Sequence, residues 1–372
     1  MTQASSTQPS STMTVKGEGD CRIAVDTLGG DHGHGPIIEG AVQACKDFGI
    51  KSVLVGPEDE LKSVISSLGA QSLGLDIVHS AEFIGMDESP ARAVRRKPDA
   101  SMCKAFRLVK EGRASAMIST GNTGAMMAAG RVIYGFLPGI ERPAIASIIP
   151  VVGDGNPNVL LDIGANVDSH AHNLTQFAVM GSIYYTTLFG VEKPRVGLLS
   201  NGTEPVKGND VIRAAAVEMG SMSMINYCGF VEGRDIASDK VDVIVCDGFI
   251  GNIVLKSLEG CVRLIADQLR LEATQGVINQ IGMGLSRDVF RKVFREKFDH
   301  TAHGGAPLLG LRNLAVVLHG ASGARSVKSA IAAAKNFIDK GMTTKISSEI
   351  CRLEESVEEG SEVSLLVGGN GA

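Results

Sequence analysis

Short apolar runs alternate with amphipathic stretches along most of the chain. Residues 22–26 form an apolar run that stops before a pair of glycines, and residues 37–48 follow with helical spacing. The same order recurs at residues 52–55 and 58–68, and another apolar run follows at 75–78. Strands that alternate with helices favour parallel pairing in a sheet covered on both faces. The pattern therefore predicts an α/β fold.

One pair of apolar runs has no helix between its members. Residues 145–152 and 159–163 flank a glycine-rich and asparagine-rich turn sequence, which is typical of two antiparallel strands. Single apolar runs of strand length also occur at residues 116–119, 196–200, 241–246 and 314–318. We therefore expect a sheet that is mainly parallel and carries an antiparallel insertion.

Polar loops that contain glycine follow the predicted strands. These loops are residues 26–33, 121–124, 162–168, 201–204, 247–252, 304–310 and 319–322. Ligands of open α/β sheets bind beyond the carboxyl ends of the strands, where backbone N–H groups point outward. Because Gly, Asn, Thr and Ser supply short neutral donors, we predict that the loops together line one cleft for an anion.

Composition narrows the class of protein. The chain has 372 residues, of which 44% are hydrophobic and 21% charged, as expected for a globular protein. Its formal net charge of −5 argues against nucleic acid as a partner. The seven cysteines are scattered without a CxxC pair, so we expect neither a zinc knuckle nor a disulfide framework, and a reducing cytoplasm fits best. The 45 glycines exceed the usual share and indicate many permissive backbone positions.

We divide the chain into three parts. Residues 1–20 are rich in Ser, Thr and Gln and are predicted to be a disordered tail without the features of a signal peptide. Residues 21–345 are predicted to form the catalytic domain, and residues 346–372 an acidic C-terminal tail. No apolar run reaches the roughly 18 residues that would span a bilayer.

Residues 276–298, inside that domain, form a basic amphipathic segment that could break at Gly282 or Gly284. Its apolar residues recur mostly at three- and four-residue steps: Ile278, Ile281, Leu285, Val289, Phe290, Val293, Phe294 and Phe298. Such a segment either packs on the core, lies at a membrane surface or docks an acidic carrier protein.

Several familiar motifs are missing. The glycines after the first strand do not have GxGxxG spacing, and the chain lacks GxxxxGK[ST], HExxH and GxSxG. We therefore expect no metal and no cofactor. His319 follows a predicted strand, where it could serve as a general acid or an oxyanion donor, or could simply be hydrogen-bonded at the strand end.

Six ordered motifs cover roughly residues 23–340: DTLGGDHG, KEGRASAMISTGNTGAMMAAGR, ERPAIA, LLDIGANVD, DVIVCDGFIGNIVLKSLEG and GGAPLLG. Together they closely resemble the PlsX family of phosphate acyltransferases of bacterial phospholipid synthesis. The first loop departs from the family's usual DAMGGD, because Thr27 and Leu28 replace Ala-Met and an additional His34-Gly35 precedes Pro36.

The resemblance implies that an acyl group passes from acyl carrier protein to inorganic phosphate, giving an acyl phosphate for glycerol-3-phosphate acylation. It also implies a homodimer with a three-layer α/β/α, isocitrate/isopropylmalate dehydrogenase-like (Rossmann-like) fold around a mixed sheet. The protein would work in the cytoplasm and at the inner membrane surface, where it would contact lipid or a membrane glycerol-3-phosphate acyltransferase.

Phosphate is already a nucleophilic anion, so such an enzyme needs no activated Ser or Cys. We predict three catalytic residues: Lys207 as a cation, His319 as the acid for the departing thiolate, and Asn122 in a phosphate loop. The predicted substrate-binding residues are Asp26, Gly29, Gly30, Asp31, Thr123, Gly124, Asp162, Asn166, Asn201, Asp247 and Asn252. Acyl carrier protein is acidic, and Arg92, Arg95, Arg96 and Lys97 form a basic cluster that could receive it.

Three other functions remain open. A short-chain phosphate acetyltransferase would share the chemistry and differ in acyl-chain length. A decarboxylating dehydrogenase of the same fold would need a nicotinamide site and an acidic metal site. A membrane scaffold without enzymatic activity would leave the polar loops without a use.

Overall fold

A computed structural model describes residues 21–292 and 304–368 of the chain. Within these residues, eleven strands form one mixed sheet in the order β3-β2-β1-β4-β11-β10-β5-β6-β9-β7-β8. The strands are β1 (Arg22–Asp26), β2 (Lys51–Gly56), β3 (Asp76–His79), β4 (Ala116–Ser119), β5 (Ala144–Ile149), β6 (Asn158–Leu161), β7 (Arg195–Leu199), β8 (Asn226–Val231), β9 (Val243–Val245), β10 (Ala306–Leu309) and β11 (Leu314–Val317).

Twelve α-helices occur in the same residues, and most of them cover the two faces of the sheet. They are α1 (Gly35–Phe48), α2 (Glu58–Ser67), α3 (Pro90–Arg96), α4 (Ser101–Lys110), α5 (Thr123–Ala129), α6 (Ala171–Phe189), α7 (Asp210–Ser221), α8 (Gly248–Ala273), α9 (Val277–Leu285), α10 (Arg287–Lys292), α11 (Ala324–Asp339) and α12 (Met342–Gly368). The mixed α/β fold expected from the sequence is confirmed.

Strand direction divides the sheet into two halves. Strands β1, β2, β3, β4 and β11 are parallel to one another, whereas β10 is antiparallel to both of its neighbours, β11 and β5. Strand β6 is antiparallel to β5, and β9, β7 and β8 follow the direction of β6. The carboxyl ends of β1, β4, β11 and β5 therefore lie at one edge of the sheet, and those of β6, β9, β7 and β8 lie at the opposite edge.

Alternating side chains of each strand supply two core layers. On β1, Ile23 and Val25 face a cluster formed with α1, α6, α7, α11 and α12, while Ala24 faces a cluster formed with α4 and α5. A smaller cluster packs between β6, β9 and the first half of α8. Most of α8 is only partly covered, and only Gly248 and Gly251 in this helix are buried.

The antiparallel pair expected from the turn sequence is confirmed as β5 and β6. The interpretation of residues 304–310 as a strand-end loop is wrong, because Ala306–Leu309 form strand β10 in the middle of the sheet. Glycines with positive φ flank the strand at Gly304, Gly305 and Gly310, which explains why the sequence resembles a loop.

The predicted tail boundary at residue 346 falls within α12. Ile346, Ile350 and Leu353 are buried in the core, and Glu354 Oε1 lies 3.0 Å from His172 Nε2 on α6. Apolar side chains spaced three and four residues apart anchor this part of the helix. The first residues of the predicted tail therefore belong to the folded domain.

The predicted amphipathic segment is helical where the structure describes it. It breaks at Ser286, between α9 and α10, and not at Gly282 or Gly284. Ile281, Leu285 and Val289 are exposed, and Val293, Phe294 and Phe298 lie outside the described residues. In the described part of the chain, no helix is long and apolar enough to cross a membrane.

Helices α1 and α11 approach closely at Gly40, and this contact generates a prediction for stability. A Cβ at Gly40 would lie 2.6 Å from the Ala324 carbonyl oxygen and 2.6 Å from Val327 Cβ. We expect Gly40→Ala to lower the free energy of unfolding by about 1–3 kcal/mol, because overpacking forces the two helices apart. Gly220→Ala in α7 is the matched control, since nothing lies within 4 Å of that position. Equal melting temperatures for the two variants would contradict this account.

Candidate active site at the edge formed by β1, β4 and β11

Three polar loops meet where β1, β4 and β11 end. We name them loop 1 (residues 26–33), loop 2 (residues 120–124) and loop 3 (residues 319–322). They follow three neighbouring strands that run in the same direction, so the sheet itself brings them together.

Glycines allow loops 1 and 2 to touch through their backbones. Gly29 has φ of 88°, and a Cβ there would lie 3.0 Å from the Cα of Gly121. A Cβ on Gly30 would lie 2.7 Å from Thr120 Oγ1. Any larger residue at either glycine would displace loop 2.

A backbone hydrogen bond and a close glycine contact join loops 1 and 3. The Asp31 N–H donates to the Gly320 carbonyl at 2.8 Å, and a Cβ on Gly320 would lie 2.8 Å from the Asp31 carboxylate. The predicted site residues Gly29, Gly30 and Asp31 therefore share one small region with His319.

Asp26 lies beneath these loops and is 2% exposed. Burial raises the pKa of Asp26 to about 6, although hydrogen bonds from Ser119 and the Leu28 N–H favour the charged form. Its Oδ2 accepts from Ser119 Oγ at 2.6 Å, and the same hydroxyl oxygen accepts from the Gly121 N–H at 3.0 Å. Asp26 and Ser119 thus hold the backbone of loop 2 in place.

The buried hydroxyls of Thr120 and Ser322 at this edge have no partner among the described residues. Thr120 is 1% exposed and Ser322 is 5% exposed, and no described residue forms a hydrogen bond with either side-chain oxygen. Both hydroxyl groups are therefore free to donate a hydrogen bond to a ligand at this edge. Ser322 also precedes α11, whose first N–H groups lack partners within the helix and favour an anion.

His319 is exposed on loop 3. Its Nδ1 accepts a hydrogen bond from the Ala321 N–H at 3.2 Å. A ring nitrogen that accepts carries no proton, so in the neutral ring the proton is on Nε2. The geometry leaves the Nε2–H of His319 able to donate a hydrogen bond to a ligand.

Asn122 was predicted to contact phosphate, but its side chain is already engaged. Its Oδ1 accepts from the Ala125 N–H at 3.0 Å, and its Nδ2 donates to the carbonyls of Gly85 and Met86. Asn122 therefore has a positioning role: it caps the start of α5 and holds the backbone of Gly85 and Met86 in place. Next to it, Thr123 is exposed and Gly124 packs against Pro90.

The predicted residues Asp162 and Asn166 lie at the opposite edge, after β6. Asp162 accepts hydrogen bonds from the N–H groups of Ile145, Gly164, Ala165 and Asn166 and from the Asn166 side chain. Burial raises its pKa, against the effect of these bonds. The carboxylate is saturated by its own loop and by Ile145 of β5, which indicates a structural role.

The remaining predicted residues also lie at that edge. Asp247 begins α8 by accepting from the Ile250 N–H at 2.8 Å, and Asn252 lies against Gly164. Asn201 closes its own loop by accepting from the Gly208 N–H at 2.9 Å, and Lys207 packs its stem over Gly202.

The prediction that all the polar loops line one cleft is therefore wrong within a single chain. The antiparallel contacts of β10 with its neighbours and of β5 with β6 reverse the strand direction, which separates the loops into two groups at opposite edges. The sequence shows that a strand ends but not which way it runs.

Sequence reasoning missed four residues of this edge: Ser119, Thr120, Ser322 and Arg325. Thr120 and Ser322 could have been found only from their position beside the glycine pairs. Arg325 is an exposed cation in the first turn of α11, where the helix dipole disfavours positive charge unless an anion is nearby. In the described chain, no group of three or more His, Cys, Asp or Glu could hold a metal ion.

Comparisons with solved structures support the fold. A phosphotransacetylase from Streptococcus pyogenes superposes with a TM-score of 0.58 at 19% identity, covering 86% of this chain and 94% of that chain. The EutD phosphotransacetylase from Staphylococcus aureus gives a TM-score of 0.55 at 15% identity, covering 85% of this chain and 94% of that chain. At such low identity, the likeness concerns the fold alone.

Relatives identified by sequence share a higher identity with this chain than these solved structures do. A family model described as "Fatty acid synthesis protein" matches residues 21–345. A phosphate acyltransferase from Nitratidesulfovibrio vulgaris (strain DP4) is 41% identical over 341 residues, which cover 92% of this chain and 98% of that protein. One from Geotalea daltonii is 43% identical over 321 residues, covering 86% and 92%. Similarity of this extent confirms the resemblance drawn from the six motifs: the chain belongs to the PlsX family of phosphate acyltransferases and is an enzyme of the acyltransferase class.

Proposed function

We propose that the enzyme transfers a fatty acyl group from acyl carrier protein to inorganic phosphate and so supplies acyl phosphate for phospholipid synthesis. The observation that carries the proposal is the meeting of three glycine loops at one edge, with the buried hydroxyls of Thr120 and Ser322 among them, in a chain of the phosphate acyltransferase family. Neutral donors at a helix start suit a phosphate ion, which needs hydrogen bonds more than it needs activation.

The reaction can be written with these groups. A phosphate oxygen attacks the thioester carbonyl carbon, a C–O bond forms, and the carbonyl oxygen becomes an oxyanion. The intermediate then collapses, the C–S bond breaks and the carrier's thiolate leaves. The Nε2–H of His319 donates a hydrogen bond to the departing thiolate, which stabilises its negative charge, and the thiolate then takes a proton from solvent.

The other residues bind or position the phosphate. Thr120 and Ser322 donate their hydroxyl hydrogens to phosphate oxygens, and Arg325 supplies positive charge from the first turn of α11. Asp26 acts through Ser119, whose hydroxyl fixes the Gly121 backbone. Lys207 has no step in this mechanism, because its loop lies at the opposite edge of the sheet.

The carrier protein would dock beside α3. Arg92, Arg95 and Arg96 are exposed on this helix, which packs against α5 next to the proposed phosphate site. Lys97, the fourth member of the predicted cluster, is already paired with Glu88 at 2.6 Å. Three arginines that have no described ion pair give an acidic carrier a local positive surface on a chain of net charge −5.

We also propose that the fold is of the isocitrate/isopropylmalate dehydrogenase type and that the protein is a homodimer. Phe249, Ile253, Leu264 and Leu271 are exposed on one face of α8, at spacings that bring them into a single stripe. An apolar stripe on a long, partly covered helix suits a second copy of the chain, because an isologous contact would bury both stripes together.

We propose that α9 and α10 contact the membrane surface. Ile281 and Leu285 are exposed one helical turn apart on α9, and Arg287 and Val289 are exposed on α10. An amphipathic helix of this type lies in the interface of an anionic bilayer. There the cytoplasmic enzyme would deliver acyl phosphate to a membrane glycerol-3-phosphate acyltransferase.

Hydroxylamine trapping tests the reaction directly. We expect the purified enzyme to form palmitoyl hydroxamate from palmitoyl carrier protein only when phosphate is present. His319→Ala should lower kcat roughly 100-fold, as expected for the loss of one hydrogen-bond donor to the charge that develops in the transition state. His79→Ala is the matched control, because its Nδ1 likewise accepts a backbone N–H at the end of a strand. Absence of product from the unmodified enzyme would refute the function, and turnover of acetyl groups alone would favour the phosphate acetyltransferase alternative.

Two leucine variants separate the dimer from the membrane contact. Leu264→Asp, on the stripe of α8, should yield monomers in light scattering and still float with anionic vesicles, although more weakly. Leu285→Asp, at the end of α9, should remain dimeric and lose flotation, because a charge in the apolar face opposes insertion. Unchanged flotation of Leu285→Asp, or an unchanged dimer of Leu264→Asp, would contradict the corresponding assignment.

A further inference from the structure

A cavity of about 490 Å³ lies between α8 and the end of β5. Its volume is within the range of small-molecule sites. Its lining comes from α8, the end of β5, loop 3 and the start of α11: Ile148, Ile149, Pro150, Ala237, Leu255, Leu258, Glu259, Val262, Arg263, Ala266, Asp267, Arg270, His319, Ala321, Ser322 and Ser326.

The cavity is continuous with the proposed active site. His319 and Ser322, which the mechanism places at the leaving thiolate and at the phosphate, are both in its wall. A group attached to the reacting carbonyl could therefore pass directly from the site into the cavity.

Polarity changes across the cavity, from one side of α8 to the next. Leu255, Leu258 and Val262 form an apolar stripe along α8 that faces the buried Ile148 and Ile149 of β5. A charged stripe runs beside it over the same length of the helix: Glu259, Arg263, Asp267 and Arg270. One region is thus suited to hydrocarbon and another to a polar, anionic group.

We propose that this cavity holds the acyl chain of the substrate, with the hydrocarbon along Leu255, Leu258 and Val262. The assignment rests on the proposed function and adds the place where the chain binds. The lining residues of α8 run from Leu255 to Arg270, a distance of about 22 Å at the helical rise. An acetyl group would leave nearly all of that length empty, whereas a long chain gains from every methylene that it buries.

The charged lining residues indicate which part of the substrate does not occupy the apolar part of the cavity. Arg263 and Arg270 can face the phosphate-bearing prosthetic arm of the carrier, and the apolar region offers that polar arm few hydrogen bonds. The hydrocarbon chain therefore fits the apolar region better than the arm does.

The test compares two substrates that differ only in chain length, palmitoyl and butyryl carrier protein. Ala266→Phe fills the cavity from α8, and Ala237→Phe fills it from the opposite wall at an exposed position, where the substitution spares the core. Cys261→Phe, exposed on α8 outside the cavity, is the matched control. We expect either cavity variant to lower the palmitoyl-to-butyryl ratio of kcat/KM at least tenfold, since each displaced methylene accounts for roughly fourfold.

The outcomes are distinguishable. An unmodified enzyme that forms no acyl phosphate from either substrate removes the proposed function. An active enzyme whose ratio is the same in Ala266→Phe, Ala237→Phe and Cys261→Phe overturns the cavity assignment alone. Equal losses for both substrates would place the prosthetic arm in the cavity, and a change of oligomeric state with an unaltered ratio would place a second copy of the chain there. Either of these results also overturns the assignment.

Discussion

The close approach of three backbone loops at one sheet edge is the constraint on which the site depends. Gly29 meets Gly121, Gly30 meets Thr120, and Gly320 meets Asp31 at separations that leave no room for a Cβ. These contacts bury the Thr120 hydroxyl at the strand ends, where no described residue forms a hydrogen bond with it. The high glycine content of the chain is thus explained in part by loops whose backbones must approach one another closely.

Strand direction decides which loops can cooperate. The alternation of strands and helices predicted the α/β fold, and the turn between β5 and β6 predicted their antiparallel pairing, because both signals are local. Strand β10 was missed because its flanking Gly304, Gly305 and Gly310 resemble a loop and only tertiary packing makes residues 306–309 a strand. Since β10 and the β5–β6 pair reverse the direction of the sheet, Lys207 cannot join His319 within one chain.

The site was predictable to the extent that it follows strand ends. Loop position predicted that Asp26 and His319 lie near each other, and it equally predicted that Asp162 and Asp247 lie beside them, whereas these two lie at the opposite edge. The roles of individual side chains were not predictable, because they depend on which hydrogen bonds the fold already satisfies. Asn122 and Asp162 are polar residues in glycine loops, yet their side chains are engaged, while Ser322 is left unpaired. Family membership gives the reaction class, and the place of the reaction at this edge is our proposal.

The effect of Ser322→Ala on the KM for phosphate tests the central claim most directly. Ser52→Ala is its control, because Ser52 is also a buried hydroxyl without a described partner but lies on β2, away from the loops. If the unpaired hydroxyl binds phosphate, Ser322→Ala raises the KM for phosphate at least fivefold, as expected for one hydrogen bond to a charged group. Ser52→Ala then leaves that KM within twofold. The same KM for phosphate in both variants would contradict the account.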